Sequence, residues 1–207
     1  WADFVQTLRG GHTEKLPSFP IWTDFMRSRS QIRISRETPD WKRNFIDKNA
    51  QLYMENANLL DKWRKRSQLE LLTPSMRKFE WQAQDTKTLW ETIMHFRPSG
   101  IRAKKATYVP ALVAITQTSI IGKQKRRITV REGARLQGLP DWFDFVDQAD
   151  KISYKQLGNG ISIGCAYQVL QALAERDGGV LKKVHPKLFK SIQVSGDSPD
   201  KHLKRKP

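Results

Sequence analysis

The chain of 207 residues contains a single cysteine, Cys165, so no disulfide can close within it. That excludes a disulfide-stapled scaffold and points to a reducing, intracellular compartment. No apolar run approaches the roughly 20 residues that a membrane-spanning helix needs. No signal peptide is expected, and Trp1 in place of an initiator methionine is read as a fragment, a processed chain or a trimmed one. Acidic side chains are scarce, 21 against 37 basic ones, for a formal charge of +16. An excess of this size favours a polyanion, because neutralising phosphates releases condensed counterions. Nucleic acid is the first reading; an anionic membrane, an acidic protein or a merely soluble basic protein remain open. Neither an internal repeat nor a metal site is assigned.

With 38% hydrophobic and 28% charged residues, most of the chain should fold, as one large domain or two small ones. Leu16 to Trp22, punctuated by Pro17 and Pro20, reads as extended and partly buried. A long helix is expected from Thr38, with Thr38 as cap, Pro39 at the first position and Asp40 favoured by the dipole. Trp41, Phe45, Leu52, Leu59, Leu60 and Trp63 recur along it as a core-facing stripe. Arg64, Lys65 and Arg66 at its end suit either phosphate or a solvated helix terminus. A second helix is expected over Ser75–Gln84, and a third from Thr88, where Thr88-Leu-Trp-Glu91 fits a capping box.

From residue 97 the character changes. Arg97-Pro-Ser-Gly100 is a turn signal, and Tyr108–Thr116 and Ser119–Gly122 read as strands. Basic clusters bracket this β region: Arg102, Lys104 and Lys105 before it, Lys123, Lys125, Arg126 and Arg127 after it. Thr129-Val-Arg-Glu132 is another capping box, opening a short helix to about Gln137 that Gly138 and Pro140 stop. Another helix is expected from near Gly160, carrying Ile161, Cys165, Val169 and Leu173 on one face until Gly178-Gly179. Cys165 is read as a small buried apolar side chain. Beyond Leu181 the chain is Lys-rich without strong apolar periodicity, and its basic end suits either DNA or simple solubility.

Two segments carry more than this. Arg127, Thr129, Arg131, Glu132, Ala134, Arg135, Leu136, Gln137 and Pro140 stand in the register of the ninth motif of the DNA (cytosine-5) methyltransferases, with Ile128 and Leu139 as apolar substitutes. Tyr154, Gln156, Gly158 and Asn159 are similar to the tenth motif, from which Gly160 and Ile161 depart. Leu16–Trp22 and Arg97–Arg102 resemble the region upstream of the ninth motif more weakly, and Gln31-Ile-Arg33 is discounted as a match to the family's Gln-x-Arg-x-Arg.

The resemblance implies a protein that transfers a methyl group from S-adenosylmethionine to C5 of cytosine in a specific DNA sequence. The family's Pro-Cys nucleophile and Glu-Asn-Val segment do not occur in this sequence and no counterpart of its Arg-x-Arg element is assigned, so no catalytic residue is named. The chain is therefore read as the C-terminal half, a fragment or split subunit inactive alone, with the complementary catalytic half and double-stranded DNA as partners and no membrane. Its fold class is expected to be α+β: a small mixed target-recognition domain with helical segments, then a C-terminal helix packing on an absent Rossmann-like catalytic domain. The divisions are 1–150 for target recognition and the ninth motif, 151–180 for the tenth, and 181–207 for a basic tail. A stand-alone, non-catalytic DNA-binding module is the alternative, and a restriction-modification role implies a cytoplasmic, nucleoid-associated bacterial protein.

Roles follow from side-chain chemistry placed in that frame. Arg127, Thr129, Arg131, Glu132, Arg135 and Gln137 are structural, Thr129 and Glu132 as caps and Leu136 placed to pack. Arg131 and Arg135, one turn apart, suit carboxylates or DNA phosphates, with internal pairing favoured. In the family the tenth-motif Gly-Asn pair lies against the cofactor. Gly158 would permit close approach, Asn159 would offer a donor and an acceptor, and Gly160 and the following helix start would present N–H groups to a carboxylate. Arg97, Arg102, Lys104, Lys105, Lys125 and Arg126 are the candidate DNA contacts, some reaching base edges and others holding the backbone.

Overall fold

A computed structural model describes residues 1–11, 15–114 and 118–194. They divide into two compact units, Trp1–Pro110 with Ser119–Arg127, and Ala111–Thr118 with Ile128–Pro207.

The first unit is built on a six-stranded, mostly antiparallel sheet of order β1-β2-β4-β3-β5-β6. Its strands are β1 (Ile21–Trp22), β2 (Lys78–Gln82), β3 (Thr92–Arg97), β4 (Gly100–Lys105), β5 (Ile120–Ile121) and β6 (Arg126–Arg127). Only β2 and β4 run parallel. The period-two alternation of a strand puts Phe79, Trp81, Ile101, Ala103 and Met94 on one face, all buried. Helices α1 (Ala2–Gly10), α2 (Asp40–Glu55) and α3 (Ala57–Ser67) supply Phe4, Val5, Leu8, Leu52, Leu60 and Trp63 to the same core. Trp1 stacks on Phe79 with ring centroids 4.7 Å apart and meets Phe4 edge-on at 5.2 Å. A smaller cluster of Ile32, Ile46 and Ala50 forms between α2 and the segment before it.

Several expectations for this unit are corrected. The long helix is two helices, broken at Asn56, whose side chain donates to the Leu52 carbonyl and whose φ is −129°. Pro39, not Thr38, sits at the N-cap, and Trp41 is 61% exposed rather than part of the core stripe. The expected helix over Ser75–Gln84 is the strand β2: Phe79 and Trp81 are two apart, which is the strand period. Thr88 precedes no α-helix and its side chain makes no cap bond; a single 3-10 turn at Leu89–Glu91 gives way to β3, where Thr92 and Ile93 bring β-branched side chains. The turn signal at 97–100 holds, joining β3 to β4. Tyr108–Ala114 forms no strand, Ile115–Gln117 lie outside the described residues, and of Ser119–Gly122 only Ile120–Ile121 pairs.

The second unit is helical: α4 (Val130–Leu136), α5 (Asp150–Asn159), α6 (Ile163–Val184) and α7 (Pro186–Val194). α4 has the expected bounds and capping box. The tenth-motif segment lies within α5, and the next helix starts at Ile163 rather than near Gly160. Gly178-Gly179 does not end α6; the local departure is a kink at Asp177, φ −111° and ψ 21°. Past Leu181 the helix α6 runs on to Val184 and α7 follows, with the Phe189 ring lying against the backbone at Gly178; the rest of the expected basic tail, 195–207, lies outside the described residues. Leu136 is 47% exposed and Cys165 is exposed, so neither is the packed residue expected. No described helix is long and apolar enough to cross a membrane.

Gly100 closes the β3–β4 hairpin with φ +127°, and a Cβ there would lie 2.7 Å from Lys78 Cβ. Gly100→Ala should therefore destabilise the chain by about 2 kcal/mol or more, read as a lower urea midpoint.

Candidate functional site

In the second unit the two motif segments hold each other. Thr129 and Glu132 close a reciprocal cap: Glu132 N–H donates to Thr129 Oγ1 at 3.1 Å, and Thr129 N–H to Glu132 Oε2 at 2.8 Å. Arg131 donates to the carbonyls of Pro140 (3.3 Å) and Phe143 (2.7 Å), pinning the chain that leaves α4. Arg135 grips Asp141 through two bonds of 2.7 and 3.1 Å and holds that carboxyl below its ordinary pKa. Both arginines are thus engaged internally. The depressed Asp141 pKa makes this pair favourable above the ordinary carboxylate range, and its contribution fades as pH falls through the folded value. Because the pair is exposed, salt screens it.

Gln137 is the node between the segments. Its Nε2 donates to the Leu157 carbonyl at 2.6 Å and the Gly160 carbonyl at 3.3 Å, and its own carbonyl accepts from Ile163 N–H at 2.9 Å. One residue therefore ties the end of α5 to the start of α6. Tyr154 adds a second tie, donating to the Ile128 carbonyl at 2.7 Å. Gly133 lies where a Cβ would come within 3.0 Å of Leu157, so α4 and α5 pack closely.

The three tenth-motif candidates have different surroundings. Gly158 is approached by the chain's own backbone: a Cβ there would lie 2.2 to 2.4 Å from atoms of Val113 and Ala114. Gly160 N–H donates to the Gln156 carbonyl at 2.9 Å. Asn159 is exposed, and its carboxamide makes no hydrogen bond among the described residues. It is the polar group of the three that is open to a ligand.

In the first unit the candidate cations fall on the sheet and its far edge. Cross-strand register sets Glu80, Arg102 and His95 in one row and Gln82, Lys104 and Ile93 in the next, on the face opposite the aromatic core. Arg97 and Arg102 converge on Glu80, the second at 2.8 Å, with the three side chains 20%, 29% and 17% exposed. Lys105 pairs with Asp85 at 3.1 Å and lowers that carboxyl's pKa. Lys104 lies over the Tyr108 ring at 4.8 Å and Lys125 over the Trp90 ring at 5.2 Å. Arg126 follows Lys125 into β6, and Arg127 ends it. Reading the sequence missed Glu80, Tyr108 and Trp90 as partners of these cations. The alternation Phe79-Glu80-Trp81 was the signal for Glu80.

The model of the C-5 cytosine-specific DNA methylase family matches residues 18–175, and the chain belongs to that family. Among curated relatives, the type II methyltransferase M.AluI of Cellulosimicrobium cellulans is 48% identical over 151 residues, 72% of this chain and 29% of that protein. M.NgoPII of Neisseria gonorrhoeae is 46% identical over 48 residues, 23% of this chain and 14% of its own length. M.FnuDI of Fusobacterium nucleatum is 30% identical over 82 residues, 37% and 24% of the two chains. The chain thus spans under a third of the length of these relatives. No solved structure matches it.

The crowding at Gly158 generates a direct test. Gly158→Ala should lower the thermal midpoint markedly, on the order of 5 °C or more, because backbone rather than a movable side chain meets the new methyl group. The same substitution at Gly164, where nothing lies within 4 Å, should leave the midpoint unchanged or raise it slightly.

Proposed function

We propose that this chain is the DNA-recognition and cofactor-completing half of a cytosine-5 DNA methyltransferase, which transfers a methyl group from S-adenosylmethionine to C5 of cytosine within a specific duplex sequence. Family membership and the +16 charge support the class and the polyanion. The observation that carries the division of labour is the second unit's state. Two motif segments are locked together, yet Asn159 stands exposed with its carboxamide unspent. Ile161, two residues further on (70% exposed), and Val169 in α6 (67%) leave apolar surface that a partner would cover. That partner is the complementary catalytic half, which brings the Pro-Cys nucleophile; Cys165, an exposed helical residue following Gly164, is not given that role.

S-adenosylmethionine, when bound, supplies the methyl group. Asn159 would hold it through the carboxamide, at the end of α5 where Gly158 packs against the chain and Gly160 closes the helix. On the first unit, Arg97, Arg102 and Lys104 face DNA from the polar side of the sheet, with Glu80 fixing the two guanidinium planes. Lys105, Lys125 and Arg126 attend to phosphates. Arg97 and Arg102 are the base readers, since a fixed guanidinium fork matches a guanine edge.

The test is reconstitution. The chain alone should bind duplex DNA in a salt-dependent way and transfer no methyl group; adding the complementary catalytic half should restore transfer from labelled S-adenosylmethionine. Asn159→Ala should reduce transfer by the pair tenfold or more, on the order of the loss of one charge-assisted hydrogen bond. Methyl transfer by the chain alone, or an unaltered rate with Asn159→Ala, overturns the respective assignment. DNA binding without any restored transfer would favour a stand-alone DNA-binding module.

A further inference from the structure

Many of the cations picked from the sequence are engaged. A group of unengaged cations in the first unit lies elsewhere, close together in sequence on the segment 27–43 that leads into α2. This stretch holds six basic residues and two acidic ones, Glu37 and Asp40. Arg27, Arg33, Arg36 and Lys42 are all exposed and make no side-chain hydrogen bond or ion pair among the described residues. Trp41, 61% exposed, stands among them.

The backbone that carries these side chains is held firmly. Ile32 is buried against Ile46 and Ala50, with Ile34 packed on the same cluster, so the alternation Ile32-Arg33-Ile34 turns Arg33 outward. Arg29 donates to Asp47 and to the Ile32 carbonyl at 3.2 Å. Arg43 donates to the carbonyls of Thr38 (2.7 Å), Ser35 (3.2 Å) and Arg36, closing the loop before α2. Two arginines thus build the loop, and four cations radiate from it. Ordering such a segment on binding costs little, because its backbone is already fixed.

We infer that Arg27, Arg33, Arg36 and Lys42 form a second DNA-backbone contact that neutralises phosphates of duplex DNA without reading bases. The inference rests on the chain's being a DNA-binding half, and it adds a surface separate from the polar sheet face. β1, against which this segment and α2 pack, is the sheet edge opposite β6. At about 4.8 Å per strand, β1 lies about 10 Å from β4 and about 24 Å from β6. Contacts at this edge therefore extend the footprint on DNA rather than duplicating Lys125 and Arg126. Four unpaired cations beside a single exposed aromatic ring suit a phosphate backbone.

The experiment measures binding of the full 207-residue chain to a labelled duplex of scrambled sequence, by anisotropy across a salt series. The variant is Arg27→Gln, Arg33→Gln, Arg36→Gln and Lys42→Gln together. Each lost phosphate contact removes about 0.9 from the log–log salt slope, so the slope should fall by about 3 to 4 and affinity by tenfold or more near 0.1 M salt. The loss should be uniform across duplex sequences. A charge-matched control, Lys182, Lys183, Lys187 and Lys190 all changed to Gln, should lower the slope by less than 1. An unchanged slope in the first variant, or an equal fall in both, overturns the inference. So does a variant that loses association with the complementary catalytic half while its DNA slope stands. If the parent chain itself shows no salt-dependent duplex binding, the DNA-binding reading falls and this surface falls with it.

Discussion

The second unit depends on the Gln137 carboxamide more than on any other single group. It sits at the C-terminal end of α4, where a helix leaves unsatisfied carbonyls, and turns its own donor outward to the carbonyls at the end of α5. Its backbone oxygen accepts the first N–H of α6. A side chain of one motif therefore satisfies the helix terminus of the other, and the position of Asn159 follows from that bond. Without it, the carbonyls of Leu157 and Gly160 would need other donors and the α5–α6 corner would lose its definition.

What was legible in the sequence and what was not follows from the range of each signal. The Thr129–Glu132 box is closed by groups three residues apart, and it appears as the pattern requires. The same Thr-x-x-Glu pattern at Thr88 does not, because Thr92 and Ile93 extend into a strand whose partners are β4 and β5. Phe79 and Trp81 were apolar in either reading; only their spacing of two distinguished strand from helix, and a parallel partner from residues 100–105 settled it. Asn56 interrupts an otherwise continuous apolar stripe through a bond to its own backbone, which spacing alone does not register.

The candidate contacts show the same limit. Basic residues are easy to count, but their partners lie across the sheet or on distant aromatics: Glu80 is 17 and 22 residues from its two arginines. Tertiary pairing thus divided a formally uniform set of cations into those spent on the fold and those left facing solvent. One exposed, unpartnered group, Arg27, Arg33, Arg36 and Lys42, lies in a segment on which the family resemblance placed no contact.

Glu80 also gives the sheet an asymmetric way of failing. One carboxylate balances two guanidinium groups on β3 and β4, so losing either arginine leaves a neutral pair behind. Losing the acid instead strands two half-buried positive charges side by side. Removing either arginine therefore costs the fold less than removing the acid, a one-sided tolerance that arises because three strands meet at a single negative centre.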